Sequence, residues 1–409
     1  MLQSTFKVYR IRWAMLSVYM LMIAANQLLW ITFAPITGDA TKYYSVSDLQ
    51  IGILSMCFMI VYIAVSIPAS WIIDKYGLRI GVGIGAVFTG AFGMLRGFAG
   101  TDYYLLLMAQ IGIAIGQPFI LNAITKLSAR WFPIEERATA AGLGTLAMYI
   151  GILAGMTVTP YLTIGHGIEG TLYIYGIISV TIAVIFLLFL REGPPTAPCR
   201  ADQEGRSLVF DGFMQTLRTK DFIWLMIIFF IGLGVFNSVT TWIEDIMRPR
   251  GFTATQAGLT GGLMIVGGII GALIIPMLSD RYQKRTPFII LALFGSTLGL
   301  AGITFATSYW LLITSGMVLG FFLLSAGPVG FQYGAEITFP ASEGTSNGML
   351  LLMGQVSGIA FIFGMDSMKS SLTGSMTRSL IILIGLMVLS ILMSLRLKES
   401  TILSKAEDE

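Results

Sequence analysis

Long apolar runs alternate with short polar turns along nearly the whole chain. A window of about twenty residues, the length of helix that crosses a bilayer, gives twelve predicted spans. They lie at 13–37, 48–73, 79–98, 102–130, 135–160, 170–190, 222–245, 254–279, 286–305, 308–334, 343–366 and 376–396. Ser47-Asp48 and Asp102 stand at helix starts, where side-chain oxygens can accept the first free backbone N–H groups. The pattern predicts an all-α membrane protein.

The longest polar stretch divides the chain near its middle. It covers 191–221 and contains Pro194, Pro195 and Pro198. We therefore predict an N-terminal six-helix bundle over 1–190, a linker over 191–221 and a C-terminal six-helix bundle over 222–409.

The two predicted halves repeat the same signals at nearly the same spacing. An acidic-basic turn beginning at Asp74 closes the second span, and a similar turn beginning at Asp280 closes the eighth. Gly52 and Gly258 keep the same offset. Such a repeat in an apolar chain indicates two homologous halves, and in membrane proteins of this kind the path of a solute usually runs between them.

Composition excludes most other classes of protein. The chain has 409 residues, of which 55% are apolar and 11% charged, whereas a soluble protein has about a quarter charged residues. A net charge of +3 gives no argument for binding nucleic acid. The chain has one histidine, His166, and no phosphate-binding loop or Cys/His cluster, so we expect no enzyme, cofactor or metal site.

The distribution of lysine and arginine predicts the orientation in the membrane. If the N-terminus is cytoplasmic, that side receives most of the 25 basic residues. The opposite side receives Lys42, Arg96, Arg248, Arg250, Lys369 and Arg378. We therefore expect a multi-pass protein with both termini in the cytoplasm, located in the plasma membrane if the source is prokaryotic.

The turn from Asp74 to Arg79 resembles the loop between spans two and three of the major facilitator superfamily. That loop usually reads Gly-x-x-x-Asp-Arg/Lys-x-Gly-Arg/Lys, and here Ser70 takes the place of the leading glycine, as Pro276 does in the second half. The resemblance implies a major facilitator fold with twelve helices in two pseudo-symmetric six-helix bundles.

Residues of these turns and of neighbouring helix ends, most of them charged, are the candidate gating residues of such a fold. A carboxylate at a helix end can pair with a basic residue or stabilise a neighbouring helix N-terminus. Arg130 and Arg137 are the candidate partners of Asp74. The full candidate set is Asp74, Lys75, Gly77, Arg79, Arg130, Arg137, Asp280, Arg281, Glu336 and Glu343. The alternative is an ordinary interface turn whose cations reach the lipid headgroups.

A narrower resemblance covers most of the chain. The first span contains Asn26-Gln27-Leu28-Leu29-Trp30-Ile31, the fourth contains Gln117-Pro118-Phe119-Ile120-Leu121, and Glu343-Gly344-Thr345-Ser346-Asn347-Gly348 precedes Gln355 by twelve residues. These segments resemble the feline leukaemia virus subgroup C receptor family, with its Asn-x-x-x-Trp-Ile first span. The resemblance implies transport of choline or ethanolamine, with haem also proposed for the family.

The same resemblance implies that Trp30, Gln117 and Gln355 line a central pocket. At an aromatic position of the seventh span in that family, this chain has Asn237, which weighs against a choline-type aromatic cage. Independently, a tryptophan face attracts a quaternary ammonium group, and an amide in a membrane helix needs a partner or a wet cavity. The alternative for both glutamines is helix packing. The candidate substrate-binding residues are Trp30, Gln117, Gln355, Asn26, Asn122 and Asn237.

We expect a monomeric facilitator that moves a small organic solute, an amine or zwitterion, by alternating access. Because no carboxylate stands in the middle of a predicted span of the first half, uniport is favoured over proton symport. A multidrug-type carrier and an organic-anion carrier of the same fold remain open; the anion carrier needs a central basic residue, and Arg96 and Lys126 are expected at the periphery. A non-transporting receptor is the fourth alternative.

Overall fold

A computed structural model describes residues 8–196, 216–339 and 343–399, and within these ranges the ordered elements are helices. The side chains of Ile134 and Glu343 lie outside the described part, as does most of the predicted linker. The first-half helices are α1 (Ile11–Ile31), α2 (Thr37–Tyr44), α3 (Asp48–Tyr76), α4 (Leu78–Gly97), α5 (Tyr103–Leu121), α6 (Ile124–Trp131) and α7 (Ile134–Phe189).

The second-half helices follow a similar order of long and short elements. They are α8 (Lys220–Thr241), α9 (Ile243–Met247), α10 (Ala254–Arg281), α11 (Thr286–Phe305), α12 (Tyr309–Thr338), α13 (Glu343–Ser367) and α14 (Thr377–Ser394). Short 3-10 turns lie at Ala34–Ile36 and Arg248–Arg250.

Eleven helical segments of the described ranges are long and apolar enough to cross a membrane. One of them, α7, has 56 residues, about 84 Å of helix, which is enough for two crossings. Its helix is interrupted at Gly167, where φ is 69° and ψ is 178°. The segments therefore account for the twelve predicted spans, with the break of α7 between the fifth and sixth.

Both predicted helix starts are capped by side-chain oxygens, but by different residue types. Asp102 caps α5, because its side chain accepts the backbone N–H groups of Tyr104 at 2.9 Å and Leu105 at 3.1 Å. At the start of α3 the hydroxyl of Ser47 accepts the N–H of Gln50 instead, at 3.3 Å. The side chain of Asp48 is therefore left for other partners.

Contacts divide the chain into two compact units. The first unit contains Met1–Phe33, Ala40–Val46 and Ile53–Ser207; the second contains Ala34–Asp39, Ser47–Gly52 and Leu208–Glu409. The second unit thus includes two short segments from the first half of the sequence. These segments carry Gly38 and Asp48.

Within the first unit, α7 packs along α1 and α4, and α5 packs against α4. Buried side chains such as Tyr19, Val82, Phe132 and Phe186 form its apolar core. These helices are apolar on several faces because the outer ones meet lipid, so the large exposed hydrophobic side chains need no protein partner.

Within the second unit, α10 and α12 approach each other closely through glycine. A Cβ atom built on Gly271 would lie 1.8 Å from the Phe321 carbonyl oxygen, and one on Gly320 would lie 1.8 Å from that of Met264. Only glycine fits at such a crossing, as in other membrane helix pairs. Helix α12 also packs on α11, and α8 packs on α13.

Candidate functional site

The acidic-basic turn of the first unit is stabilised by Glu192, a residue in the predicted linker. One carboxylate oxygen accepts the backbone N–H of Leu78 at 3.0 Å, and the other accepts that of Arg79 at 2.8 Å. Glu192 therefore caps the N-terminus of α4, where free N–H groups attract a negative charge.

Gly77 makes this cap possible. Its φ of 95° and ψ of 172° belong to a region that essentially only glycine adopts. A Cβ atom at this position would lie 2.5 Å from Glu192 Oε1. Glycine is thus required by both the backbone conformation and the capping carboxylate.

The cations of this turn have partners other than those predicted. Asp74 lies 3.5 Å from the ammonium of Lys126, while Arg130 binds Glu192 at 2.6 Å, so the predicted pairing of Arg130 with Asp74 is wrong. Arg137 donates to two backbone carbonyl oxygens just before α7. Because Asp74 is 43% exposed, its ion pair with Lys126 is largely screened by solvent.

A cavity of about 390 Å³ opens beside this turn. Lys75 lies over the rings of Trp71, at 4.6 Å, and Tyr76, at 5.2 Å. The side chains of Lys75 and Arg79 are exposed, as expected for cations at a membrane interface. The residues that line the cavity are Asp74, Lys75, Tyr76, Gly77, Arg79, Ile80, Arg130 and Glu192.

The corresponding turn of the second unit is centred on Arg285. This guanidinium is buried and binds Asp280 at 2.5 Å and Glu336 at 3.1 Å, whereas the predicted Arg281 is exposed. Glu399 accepts the backbone N–H of Arg285 at 2.6 Å. Glu336 is therefore an ion-pair partner of the turn.

The candidate binding residues of the first unit differ in whether their polar groups form hydrogen bonds within the protein. Asn26 is fully buried and donates to Thr89 Oγ1 at 3.2 Å. The Trp30 indole N–H donates to the Ser55 carbonyl oxygen at 3.1 Å, which fixes the ring. The amide of Gln117, 7% exposed, makes no hydrogen bond to another described residue.

Asn122 lies where the helix after Pro118 is interrupted, between α5 and α6. It accepts a hydrogen bond from Tyr62 at 2.7 Å and donates to the hydroxyls of Ser66 at 2.9 Å and Ser70 at 3.0 Å. A proline removes one backbone hydrogen bond, and the Asn122 side chain ties the resulting break to α3.

Arg96 is fully buried within the first unit, although it lies one residue before the end of α4. Its guanidinium donates to the Leu29 carbonyl oxygen at 2.9 Å, to Gln110 at 3.1 Å and to the Thr32 hydroxyl at 3.3 Å. These bonds connect α4 to α5 and to the end of α1. Its position at the end of an apolar span gives no signal of this role.

In the second unit, Asn237 and Gln355 lie on the helices α8 and α13, which pack together. Asn237 donates to the Gly354 carbonyl oxygen at 3.1 Å. Gln355 is half-buried, and within the described ranges its amide has no hydrogen-bond partner. Trp242 is fully buried and its indole N–H donates to the Ile362 carbonyl oxygen at 3.0 Å, so it packs the unit instead of replacing the missing aromatic.

A cluster of charged side chains lies at the other end of the second unit, just beyond α8. We call it the Asp245 cluster, and it consists of Asp48, Glu244, Asp245, Arg248 and Lys369. Arg248 binds Asp48 at 3.1 Å and Glu244 at 3.2 Å, and it also binds Asp245. Lys369 binds Asp245 at 2.9 Å and also binds Asp48.

The cluster joins segments that are far apart in the sequence. Glu244 accepts the backbone N–H of Gly38 at 2.9 Å, and Gly52 packs against Trp242, where an added Cβ would lie 2.6 Å from the ring. The segments around Gly38 and Asp48 are thus held to α9 and to the end of α13. The sequence indicates only a helix start at Asp48, because its ion-pair partners are brought to it by folding.

Burial changes the acidity of the two adjacent carboxyl groups of α9. Burial, reinforced by Asp245, raises the pKa of Glu244 to about 7. Burial also raises the pKa of Asp245, to about 6, although Lys369 and Arg248 oppose the shift. Removing a carboxylate from water disfavours its charged form, and the two cations compensate for this only in part.

Comparison with known proteins agrees with this architecture. The model of the family described as "Major Facilitator Superfamily" matches residues 15–362. Solute carrier family 49 member A3 of Xenopus tropicalis is 30% identical over 379 residues, which cover 87% of this chain and 78% of that protein. The human choline/ethanolamine transporter FLVCR2 is 26% identical to this chain, over 88% of this chain and 72% of the length of FLVCR2.

Solved structures show the same fold at lower identity. The nucleoside transporter NupG has a TM-score of 0.74 and 15% identity, over 95% of this chain and 99% of that chain. A bacterial homologue of the human lysosomal transporter Spinster has a TM-score of 0.73 and 16% identity, over 95% and 96%. The predicted fold class and the resemblance to the feline leukaemia virus subgroup C receptor family are confirmed. The chain therefore belongs to the major facilitator superfamily and, within it, to solute carrier family 49, so it is a multi-pass membrane transporter and not an enzyme.

Proposed function

We propose that the protein moves a small amine or zwitterion of the choline or ethanolamine class across the membrane by alternating access. The observation that supports this most directly is the pair Gln117 and Gln355. Each contributes an amide that no described residue satisfies, one in each unit. An amide in a membrane helix is costly without a partner, so a polar solute is the natural occupant.

The positions of the two glutamines along their helices support the same proposal. Gln117 lies midway along the segment Tyr103–Trp131, and Gln355 lies midway along Glu343–Ser367. Both are therefore near the middle of the apolar layer. Transporters of this architecture bind their solutes at that depth.

Trp30 supports the substrate class. Its ring is held by the hydrogen bond to Ser55, so it costs little conformational entropy to use as a binding surface. A tryptophan face attracts a desolvated ammonium group by up to about 2 kcal/mol. Relatives at 26–27% identity are named choline/ethanolamine transporters, which gives the same class.

The orientation forms part of the proposal. In the sequence, most lysine and arginine residues fall in the segments that the predicted orientation groups with the ends carrying the Asp74 and Asp280 turns, and cytoplasmic loops are enriched in these residues. We place these ends in the cytoplasm, with both termini. The Asp245 cluster then faces the outside.

Uptake into proteoliposomes tests the function. Labelled choline and labelled ethanolamine should enter vesicles that contain the protein and not empty ones, and each unlabelled compound should compete with the other. Equal transport of unrelated lipophilic cations would indicate a multidrug-type carrier. Failure of every tested solute to move faster than in empty vesicles would overturn the proposal.

Matched substitutions separate binding from packing. Gln117→Ala and Gln355→Ala should each abolish uptake while leaving the amount of folded protein unchanged. Gln110→Ala is the control on the same helix as Gln117, because its amide already bonds to Leu29 and Arg96. We expect this control to lower the folded yield and to keep uptake per folded molecule. Wild-type uptake by both test variants would assign the two amides to helix packing.

A further inference from the structure

The Asp245 cluster contains more negative than positive charge. Asp48, Glu244 and Asp245 contribute three carboxylates, and Arg248 and Lys369 contribute two cations, which leaves a formal charge of −1. The side chain of Asp245 is fully buried and that of Glu244 is 6% exposed. A buried excess charge of this kind is unfavourable unless something neutralises it.

One atom in the cluster is buried and has no partner. Asp245 Oδ1 binds Arg248 and Lys369, but among the described residues Asp245 Oδ2 has no hydrogen-bond donor. A carboxylate oxygen is a strong acceptor, and leaving it buried without a donor costs free energy. A proton on this oxygen removes the unsatisfied charge without any movement of the chain.

Two further acidic groups lie near the Asp245 cluster in the described part of the chain. Arg248 follows α9, Lys369 follows α13, and Asp48 begins α3. Within the described part of the chain, Asp39 acts on Glu244, and Asp366 lies close enough to Lys369 and Asp48 to interact with both. Asp39 adds negative potential at Glu244, so it too favours an added proton there.

We propose that Glu244 and Asp245 form a proton-binding site, which takes up one proton from water when the Asp245 cluster closes and releases it when the cluster opens. In this step one O–H bond of a hydronium ion breaks and one carboxyl O–H bond forms, which leaves a water molecule and changes no oxidation state. The link to transport rests on the function proposed above, whereas the proton site itself does not.

The direction of the pH effect follows from burial. In the closed cluster the pKa of Glu244 is raised to about 7 and that of Asp245 to about 6, chiefly by burial. Opening separates the segments of Gly38 and Asp48 from α9 and exposes the pair to water, where a carboxyl group has a pKa of about 4. The closed form therefore binds the proton more tightly, so acid stabilises it and this stabilisation is lost as the pH rises through about 6 to 7.

In the proposed transport cycle, we take opening of the Asp245 cluster to be one step. Where this step limits transport, the transport rate should follow the same pH direction. With the same pH on both sides of the vesicle, exchange of labelled choline should rise about tenfold between about pH 5.5 and about pH 8. Asp245→Asn and Glu244→Gln should each flatten this profile. Asp366→Asn removes a nearby carboxylate outside the pair and should keep the wild-type slope.

Infrared titration of the purified protein tests the proton site without any transport. Wild type should show a carboxylic acid C=O band that disappears as the pH rises through about 6 to 7, and Asp366→Asn should keep it. Asp245→Asn and Glu244→Gln should remove or shift it. If Asp245→Asn does not fold, the double variant Asp245→Asn with Lys369→Met, which restores the formal charge of the cluster, replaces it.

The outcomes distinguish the two proposals. Absence of the band in wild type, or a band unchanged in both variants of the pair, overturns the proton site. A titrating band with no solute movement overturns the proposed function alone. A titrating band with a flat pH profile of transport overturns the link between the proton and the cycle.

Discussion

The acidic-basic turns of the two units have the same kind of backbone cap but different ion pairs around it. In the first unit Glu192 caps the backbone N–H of Leu78, and in the second Glu399 caps that of Arg285. The separation in sequence is 114 residues in both cases. The backbone cap is therefore the shared element of the repeat.

The cations around the two caps differ. In the first unit the capping carboxylate itself binds a cation, Arg130, and both side chains are at least a third exposed. In the second unit the capped residue, Arg285, turns inward and binds Asp280 and Glu336, and only 7% of its side chain is exposed. The first turn thus keeps its charges in solvent, whereas the second depends on a buried ion pair.

The backbone of the turns differs as well. Gly77 and Gln283 each lie three residues after the aspartate of their turn, and both have positive φ, 95° and 52°. The first conformation is essentially restricted to glycine, while a φ near 52° is tolerated by other residues at a modest cost. The second half therefore has no need of the glycine that the first half requires.

The largest expected difference concerns the two arginines. Arg285→Met should lower the free energy of unfolding by about 3 kcal/mol or more, because it leaves the buried Glu336 without its cation. Arg130→Met should cost less than about 1 kcal/mol, because its ion pair with Glu192 is exposed. Thermal unfolding of both variants in the same detergent measures the difference. Equal losses would contradict the distinction between a buried and a solvated turn.

The next difference concerns the backbone conformation. Gly77→Ala should lower the free energy of unfolding by about 1–3 kcal/mol, because alanine is strained there and its Cβ meets Glu192. Gln283→Gly should change stability by less than about 1 kcal/mol in either direction, since relief of strain offsets the extra freedom of glycine in the unfolded chain. Thermal unfolding again gives both values, and a loss at Gln283 as large as that at Gly77 would contradict the distinction.

A double variant identifies the cause at Gly77. If the collision with the carboxylate matters, Gly77→Ala should cost less in a Glu192→Ala background than in wild type, a coupling that a double-mutant cycle measures. An unchanged cost would leave backbone strain as the whole explanation.

The smallest expected effect is one that the two units share. Glu192→Gln and Glu399→Gln should each cost about 1 kcal/mol of unfolding free energy, because each weakens one helix N-terminal cap. Glu169→Gln is the control, since this carboxylate is exposed, caps no helix in the described part of the chain and accepts a long hydrogen bond from Tyr43, at 3.4 Å. A much larger loss at one cap than at the other would show that the caps are not equivalent.

Much of the fold could be predicted because the bilayer imposes a simple rule on the sequence. A segment of about twenty apolar residues in a bilayer must form its backbone hydrogen bonds internally, so it forms a helix. Most ends of the predicted spans lie within a few residues of the helix ends in the structure. The largest departure is α7, where the polar residues predict a loop at 161–169 but the helix breaks only at Gly167.

The candidate site was less predictable. A search for apolar spans does not find Glu192 and Glu399, because they lie beyond the last span of each half. Both nevertheless follow a basic residue at that point, so a comparison of the two halves could have found them. From its polarity, Arg96 is expected at the end of a span. In the structure its guanidinium is buried, because three hydrogen-bond acceptors on neighbouring segments bind it.

Hydrophobic length and motif spacing are local properties of the chain, so they suffice for the helical class, the number of crossings, the two-fold repeat and the family. Which charges meet depends instead on how the helices pack. Asp48 and Lys369 are 321 positions apart, and both their contact and the burial of Asp245 beside them arise only on folding. Ion pairing and acidity depend on distance and dielectric environment, which no local pattern encodes.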